Sequence, residues 1–337
     1  MKTGMEPVWQ EHDILCALPV GMAFSGGDLS DWQTRAREKL SALLGLPFQT
    51  AAPAFTVEYV KETPEFTETR FSFQSEPGCV VPCHFLRPRG AAGTLPVMIC
   101  LQGHSTGMHI SLGRALYPGD EHDRDDGDRD FALQCIREGI CAVTLEQRCF
   151  GERGGKPKPD CYSTAMIALM SGRTLLGGRV WDIMRLIDVL ETEFADSIDA
   201  KRIYCCGNSG GGTATFYAAA LETRIAAAMP SCAFCTFADS IGAMYHCACN
   251  YVPGIRKYFD MAELAGMIAP RPLVIVSGAK DDIFPLPGAE AEFARAKEIY
   301  AASTHPGNAV HVVGPEGHRF YAAPGWKALR ALTNDFR

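Results

Sequence analysis

The sequence predicts an α/β fold in which helices flank both faces of a mostly parallel central sheet. Several short runs are almost wholly apolar, as expected for strands that are buried on both faces. These runs are residues 96–101, 140–145, 202–206 and 272–277. A segment with apolar residues at helical spacing, 180–190, lies between the second run and the third. Strands that alternate with helices along the chain are typical of a parallel sheet covered by helices.

The other elements follow from the same patterns of apolar residues. Residues 69–74 and 79–86 predict an antiparallel strand pair, and Pro82 should confine the second strand to an edge or a bulge because proline lacks an N–H. The remaining helices are predicted at 131–137 and 213–220, and the remaining strands at 225–229 and 309–313.

An N-terminal helical extension precedes the sheet in this predicted arrangement. Residues 30–44 place Trp32 and Leu40 on one face of an amphipathic helix. No low-complexity linker separates this region from the rest of the chain. We therefore expect an extension over residues 1–60 that packs on a main domain over residues 61–337.

Composition and charge exclude several classes of partner. The chain has 337 residues, of which 47% are hydrophobic and 21% charged, an ordinary composition for a globular protein. Its net charge of -7 and pI near 5.7 argue against nucleic acid or an anionic membrane as a partner, since both attract basic surfaces. No apolar run is long enough to cross a bilayer.

Cysteine usage and the N-terminal sequence indicate a reducing compartment. The first residues lack the basic region joined to an apolar core that marks an export signal, and Pro19 interrupts an apolar stretch at 14–24. The chain has 14 cysteines, and Cys100, Cys141 and Cys205 lie inside predicted strands. We therefore expect reduced, buried thiols and a cytoplasmic protein.

The most informative motif is Gly-Asn-Ser-Gly-Gly at residues 207–211, which fits Gly-x-Ser-x-Gly. It lies between the predicted strand 202–206 and the predicted helix 213–220. A strand, a sharp turn and a helix form a nucleophile elbow, in which glycine flanks the turn and the serine is exposed at its tip. The motif therefore indicates acyl transfer with Ser209 as the nucleophile.

A base and an orienting carboxylate follow Ser209 in the order expected for such a site. Serine is a weak nucleophile that needs both groups. Asp281 and Asp282 lie in the loop after a buried strand, and His318 lies in a glycine-rich loop after the last strand. We predict His318 as the base and favour Asp281 as the acid, because it stands in Gly-x-x-Asp with a proline four residues later.

Two backbone N–H groups are needed to hold the oxyanion of the tetrahedral intermediate. One is expected from Gly210, the residue after the nucleophile. The other is expected from the loop 102–107, with His104 as the donor. The alternative for this loop is an ordinary glycine turn.

These residues together resemble the α/β-hydrolase superfamily, and within it the branch of acetylxylan esterases and dienelactone hydrolases. The resemblance runs from about Trp32 to His318. Its motifs are Gln102-Gly103-His104, the segment 146–153, the serine elbow, Ala269-Pro270-Arg271-Pro272, the Asp281 loop and Gly317-His318. It implies an α/β-hydrolase fold and ester hydrolysis, often deacetylation of sugars, without a metal or an organic cofactor. The chain departs from the usual pattern at Gln-Gly-His, where His-Gly-x is more common.

The expected function is that of a serine carboxylic ester hydrolase that forms an acyl-enzyme intermediate. Its substrate would be a small-molecule or carbohydrate ester, for example an acetyl ester. A peptidase or amidase with the same triad is one alternative, and a non-catalytic binding protein that kept the fold is another. The sequence leaves the acyl group, the alcohol and the oligomeric state open, a homo-oligomer included.

Three further side chains are candidates for contact with the substrate. Gln102 belongs to the predicted oxyanion loop. Arg148 follows the strand 140–145, where it could contact a polar substrate or form a structural ion pair. His246 could line the pocket, or it could be an ordinary packed histidine.

A cluster of cysteines and a histidine lies between residues 232 and 249. Thiolate and imidazole at close spacing could hold zinc. However, Cys232-x-x-Cys235 has no second Cys-x-x-Cys, and Cys247-x-Cys249 is tighter than the usual spacing of zinc ligands. We therefore expect buried or pocket-lining side chains here and no metal.

Overall fold

The computed structural model describes residues 6–154 and 160–333, whose strands form one nine-stranded sheet. In chain order the strands are β1 (Thr56–Glu62), β2 (Phe66–Glu76), β3 (Cys79–Pro88), β4 (Leu95–Leu101), β5 (Cys141–Leu145), β6 (Ile198–Asn208), β7 (Ile225–Ser231), β8 (Leu273–Gly278) and β9 (Ala309–Gly314). Their spatial order is β1-β2-β3-β5-β4-β6-β7-β8-β9. The first three neighbouring pairs are antiparallel, and all pairs from β5 to β9 are parallel.

Helices cover both faces of this sheet. They are α1 (Pro7–Ala17), α2 (Leu29–Leu44), α3 (Asp120–Asp125), α4 (Phe131–Arg137), α5 (Gly151–Gly154), α6 (Tyr162–Met170), α7 (Leu175–Glu193), α8 (Gly210–Leu221), α9 (Met261–Ile268), α10 (Leu286–Tyr300) and α11 (Ala322–Thr333). Across the described part of the chain, none is both long and apolar enough to cross a membrane. The predicted α/β-hydrolase fold, with a mostly parallel sheet between helices, is confirmed.

Alternating residues of the central strands supply two separate cores. In β4, Val97 and Ile99 belong to one core, with residues of α2, α7, α8, α9 and α10, whereas Met98 and Cys100 belong to the other, with residues of α4 and α11. This follows from the two-residue period of a strand, which points successive side chains to opposite faces. A central strand must therefore be apolar on both faces, and all residues of β4 except its first are buried.

The α2 helix ties the N-terminal region to the helices on one face of the sheet. It begins after Asp28, whose side chain accepts a hydrogen bond from the backbone N–H of Asp31. From its inner face, Gln33 donates to the carbonyl groups of Gly266 and Ala269 near the end of α9. The predicted boundary between residues 60 and 61 lies within β1, and the division into an extension and a main domain stays a prediction.

The structure differs from the sequence prediction at β3. Proline was expected to restrict this strand to an edge or a bulge, but β3 is an interior strand between β2 and β5. The pairing of β3 with β5 begins only at Cys83, opposite Leu145, so the missing N–H of Pro82 falls just before that ladder. The carbonyl of Pro82 still accepts a hydrogen bond from the N–H of Glu146, at 2.9 Å.

Candidate active site

Ser209 occupies a sharp turn between β6 and α8. Its backbone has φ 56° and ψ −122°, an unusual conformation for a residue with a side chain. Such strain persists only where neighbouring structure enforces it, and it is concentrated at functional sites. Here the N–H of Ser209 donates to the carbonyl of Ser231 at the end of β7, at 2.8 Å. This geometry has the features of the nucleophile elbow predicted from the motif.

Glycines around the elbow let the backbone segments approach one another closely. A Cβ on Gly207 would lie 2.7 Å from the carbonyl oxygen of Leu101 in β4. A Cβ on Gly103 would lie 2.7 Å from the carbonyl oxygen of Asn208 and 3.0 Å from the Cβ of Ser209. The loop after β4 can therefore rest directly against the serine only because it carries glycine at this position.

His318 and Asp281 form a hydrogen-bonded pair beside this turn. The Nδ1 atom of His318 lies 2.9 Å from Oδ2 of Asp281, whose side chain is fully buried. The other carboxylate oxygen accepts the N–H groups of Ile283 and Phe284, at 2.9 and 3.1 Å. The neighbouring Asp282 is exposed. The carboxylate that contacts His318 is therefore that of Asp281.

The environment of Asp281 favours its ionised form. Burial alone raises the pKa of a carboxyl group, because desolvation penalises the charge. The hydrogen bond and charge of His318, together with the two backbone N–H groups, outweigh burial and hold the pKa of Asp281 below its usual value. An ionised Asp281 can accept the Nδ1–H of His318, which leaves Nε2 free to act as a base.

Ser209 and His318 line the same cavity, which has a volume of about 290 Å³. They follow β6 and β9, and Asp281 follows β8, so the three residues meet at the carboxyl edge of the parallel strands. Phe284 also lines the cavity, and its ring stacks on that of His318 with centroids 6.1 Å apart. Open α/β sheets bind their ligands at this edge.

The two predicted oxyanion residues also line this cavity. Gly210 is the first residue of α8, where a backbone N–H has no acceptor within the helix. His104 lies in the loop after β4, and its ring is close enough to Gly210 that a Cβ there would lie 2.8 Å from Nδ1. The structure thus brings Ser209, His318, Gly210 and His104 together around one cavity.

Two residues after β5 fix the loop that carries His104. Both carboxylate oxygens of Glu146 lie 3.2 Å from the N–H of Met108, and Gln147 donates to the carbonyl of Gln102. Glu146 is almost completely buried, and burial raises its pKa to about 7. Sequence reasoning placed both residues in a family motif but assigned neither of them a role.

The three candidates for substrate contact have different surroundings. His246 lines the cavity, with Nε2 3.2 Å from Oγ of Ser240. Gln102 is buried outside the cavity and donates to Oγ of Ser111 and to the carbonyl of Arg129, at 2.8 and 2.7 Å. Gln102 therefore connects the loops around the site and does not line the cavity itself.

Arg148 takes part in a buried ion-pair network. Its Nε and Nη2 atoms donate to both oxygens of Asp182, at 2.9 and 2.7 Å, and its Nη1 lies 2.8 Å from Glu76. Arg153 pairs with the same aspartate at 2.7 Å. Of the two alternatives for Arg148, the structure shows the ion pair, and the described residues that line the cavity do not include it.

Arg129 lines the cavity and was missed by sequence reasoning. It is 9% exposed, and its Nη1 lies 2.9 Å from the carboxylate of Asp123. Its Nε has no hydrogen-bond partner among the described residues. No local signal marks this arginine, because it stands in a strongly acidic stretch that is typical of a solvated loop.

The cysteines between residues 232 and 249 do not form one group. Cys232 lies close to Asp281 and His318, with Sγ 3.2 Å from the carbonyl of Arg319, and Cys235 contacts the carbonyl of Pro285 at 3.5 Å. Cys247 and Cys249 instead lie beside His104. The spacing in sequence therefore did not predict which of these side chains meet.

A larger cavity, of about 680 Å³, lies between α1 and the segment 237–257. Tyr245 and Asn250 line both cavities, but Ser209 and His318 line only the smaller one. We place the candidate active site in the smaller cavity because it contains the paired histidine and the strained serine.

This chain is similar to a curated protein and to several solved structures. YtaP of Bacillus subtilis (strain 168), named as a hydrolase, is 25% identical over 224 residues, which are 65% of this chain and 72% of that protein. A Bacteroides fragilis NCTC 9343 structure named as an acetyl xylan esterase has a TM-score of 0.78 at 18% identity, over 92% of this chain and 83% of that one. A glucuronoyl esterase from Solibacter usitatus has a TM-score of 0.69 at 14% identity, over 95% of this chain and 99% of that one.

The structural likenesses, at these identities, concern the fold. A model of the Abhydrolase family matches residues 12–311, which contain β1 to β8, the serine elbow and Asp281. The match therefore covers far more than half of the chain. The nine-stranded sheet and the serine elbow agree with it, and the chain belongs to the Abhydrolase family.

Proposed function

We propose that this protein is a serine carboxylic ester hydrolase with Ser209, His318 and Asp281 as its catalytic triad. The observation that carries the proposal is that the strained Ser209 lines one cavity with His318, whose Nδ1 is held by the buried Asp281. A nucleophile, a base and a buried acid in these positions are the parts that acyl transfer needs.

In the proposed mechanism, Nε2 of His318 takes the hydroxyl proton as Oγ of Ser209 attacks the ester carbonyl. Asp281 keeps Nδ1 protonated and stabilises the imidazolium that forms. The N–H groups of Gly210 and His104 donate to the oxyanion. His318 then protonates the departing alcohol, and an acyl-enzyme remains on Ser209. Water activated by His318 then attacks this ester. The carboxylic acid is released and the free serine is restored.

We propose a short acyl group, such as acetyl, on a small-molecule or carbohydrate alcohol. The cavity of about 290 Å³ lies just below the usual range for ligand pockets, about 300–1,000 Å³. Arg129 and His246 supply polar groups beside the serine for a polyhydroxylated substrate. Three of the similar structures are named as acetyl xylan esterases, including one from Thermoanaerobacterium sp. JW/SL YS485 with a TM-score of 0.59.

Covalent labelling tests the nucleophile directly. We expect a fluorophosphonate to modify folded wild-type protein at Ser209, as located by mass spectrometry. Ser209→Ala should abolish labelling and lower kcat for p-nitrophenyl acetate by at least about a thousand-fold. Ser171→Ala, in a loop after α6, is the matched control and should label normally. Labelling at another residue would refute the assignment, and a folded protein with neither labelling nor turnover would favour the non-catalytic alternative.

The substrate class is tested by a panel of acetyl, butyryl and octanoyl esters of p-nitrophenol, acetylated sugars, and matching amides. We expect kcat/KM to be highest for acetyl esters and to fall as the acyl chain lengthens. Equal or faster cleavage of the amides would favour a peptidase or amidase. Faster cleavage of octanoyl than acetyl esters would overturn the assignment of a short acyl group.

A further inference from the structure

Four potential metal ligands from three separate segments meet beside the candidate active site. They are His104 from the loop after β4, Cys161 just before α6, and Cys247 and Cys249 from the segment after β7. Their ligand atoms all lie within 4.8 Å of one another, and Nε2 of His104 is 3.2 Å from Sγ of Cys249. All three cysteines are free thiols.

The spacing of these atoms suits a tetrahedral zinc ion. Zinc binds thiolate at about 2.3 Å and imidazole at about 2.0 Å, which puts neighbouring ligand atoms about 3.5–3.8 Å apart. A set of three cysteines and one histidine is a recurrent structural zinc site. Because four protein ligands fill the coordination sphere, such a site holds structure together and leaves no open position for a substrate.

The charge around the cluster points to the same conclusion. Arg179 is 1% exposed, and its Nη2 lies 3.3 Å from Sγ of Cys161. Among the described residues it forms no ion pair with a carboxylate, and its Nε has no hydrogen-bond partner. A buried guanidinium without a counter-charge is costly. Three thiolates, a neutral imidazole and Zn²⁺ sum to one negative charge, which balances this arginine.

One side of the cluster is packed against apolar side chains, whereas His104 and Cys247, on the other side, are half-buried and line the active-site cavity. Cys161 and Cys249 are 3% and 1% exposed, and they pack with Phe150, Ala165 and Leu175. The guanidinium of Arg179 lies 4.2 Å from the centre of the Phe150 ring. An apolar shell on the side of Cys161 and Cys249, with one compensating cation, limits the access of solvent to a thiolate-bound metal.

We propose that the protein binds one structural zinc ion through Nε2 of His104 and the thiolates of Cys161, Cys247 and Cys249. This proposal replaces our expectation, from sequence, of a chain without a metal. The ion would join the loop after β4 to two distant segments and fix the His104 backbone. Only this last effect, on the oxyanion loop, rests on the proposed function; the metal site itself does not depend on it.

The metal content of the wild-type protein is the first test. Protein purified under reducing conditions and incubated with Zn²⁺ should retain about one zinc per chain after desalting. X-ray absorption should show three sulfur neighbours at about 2.3 Å and one nitrogen at about 2.0 Å. Replacement by Co²⁺ should give thiolate-to-cobalt charge transfer and the visible bands of a tetrahedral site. Retention of no zinc, or a disulfide among the three cysteines in freshly reduced protein, would overturn the proposal.

Single substitutions are the second test. Cys161→Ala and Cys249→Ala should each lower zinc affinity at least about ten-fold. Cys235→Ala removes another buried thiol that lies outside the cluster, and it should leave zinc content unchanged. A Cys161 variant that keeps full zinc and an unchanged cobalt spectrum would overturn the proposed ligand set. If the ligand variants do not fold, the absorption spectrum of wild-type protein decides alone.

The zinc site and the esterase can fail independently. A zinc-containing protein that neither labels with fluorophosphonate nor hydrolyses esters would refute the proposed function and leave the metal site standing. An active esterase that binds no zinc would refute only the metal site. If both hold, removal of zinc by a chelator should lower kcat more than it changes KM, because the oxyanion loop would lose its anchor.

Discussion

Single residues at the candidate site are held by several contacts at once. The Asp281 carboxylate faces His318 with one oxygen and accepts two backbone N–H groups with the other. Ser209 is held in a strained conformation through the carbonyl of Ser231. Catalysis by positioned groups depends on this kind of restraint, because a small displacement of a reacting atom costs a large part of the rate.

The choice between the two neighbouring aspartates gives a prediction. Asp281→Asn keeps the size of the side chain but removes the charge that orients His318, so kcat should fall by about 10³–10⁴-fold. Asp282→Asn changes an exposed side chain and should leave kcat near the wild-type value. Steady-state kinetics on an acetyl ester would measure both. A greater loss from Asp282→Asn would show that the acid is misassigned.

The residues of the candidate site that could be predicted from sequence are those that belong to a local motif. The elbow depends on a few adjacent residues, so Ser209 and Gly210 could be placed from sequence, and Asp281 and His318 from their positions after strands. Arg129 could not be found this way, because it reaches the cavity through tertiary packing.

At the scale of elements, the loop after β4 depends on the strand beside it. Glu146 follows β5 and binds the N–H of Met108, where a short helical turn, Met108–Leu112, begins. Its carboxylate also packs against Gly107 and Gly151. One buried side chain thus connects the end of β5 to the loop that carries His104.

The raised pKa of Glu146 predicts a pH dependence of stability. A carboxyl group whose pKa is higher in the folded protein stabilises the fold below its unfolded pKa, and this contribution is lost as the pH rises through the folded value. With a pKa that rises from 4.5 in the unfolded chain to about 7 in the folded protein, Glu146 should make the free energy of unfolding fall as the pH rises from about 4.5 to about 7. The loss at pH 8 is at most about 3 kcal/mol.

Glu146→Gln should remove this part of the pH dependence. Relative to wild type, the variant should become more stable as the pH rises from 5 to 8, as measured by urea unfolding at each pH. Glu65→Gln changes an exposed glutamate and serves as the control. A constant difference between Glu146→Gln and wild type across this range would contradict the prediction.

The central strands, which have a strong burial pattern, were predicted well, whereas the edge strand β1, which has none, was missed. The strands β4, β5 and β8 are almost entirely buried, so their apolar runs are visible in the sequence. Every residue of β1 is exposed, and β1 is an edge strand that pairs only with β2. Its sequence therefore shows no regular pattern of buried apolar residues. The strand forms because β2 provides a pairing partner.

For the whole molecule, α2 is part of the main core. Leu40 is fully buried in the same core as the sheet residues, and its helix packs against α7, α8 and α9. Leu40→Ala should therefore lower the free energy of unfolding by about 2–5 kcal/mol in one cooperative transition. Glu38→Ala, on the exposed face of the same helix, should have little effect. Two separate transitions on chemical denaturation would instead indicate that the N-terminal region unfolds independently.

The arrangement of the proposed triad along the chain also has a consequence for biosynthesis. The proposed nucleophile follows β6, the proposed acid follows β8, and the proposed base follows β9, the last strand of the sheet. A ribosome that has completed α8 has made the elbow and the loop after β4, but it has not yet made His318. Every nascent chain that ends before His318 therefore lacks the base for the proposed reaction. Hydrolytic activity would begin only after the C-terminal strand has joined the sheet, late in synthesis.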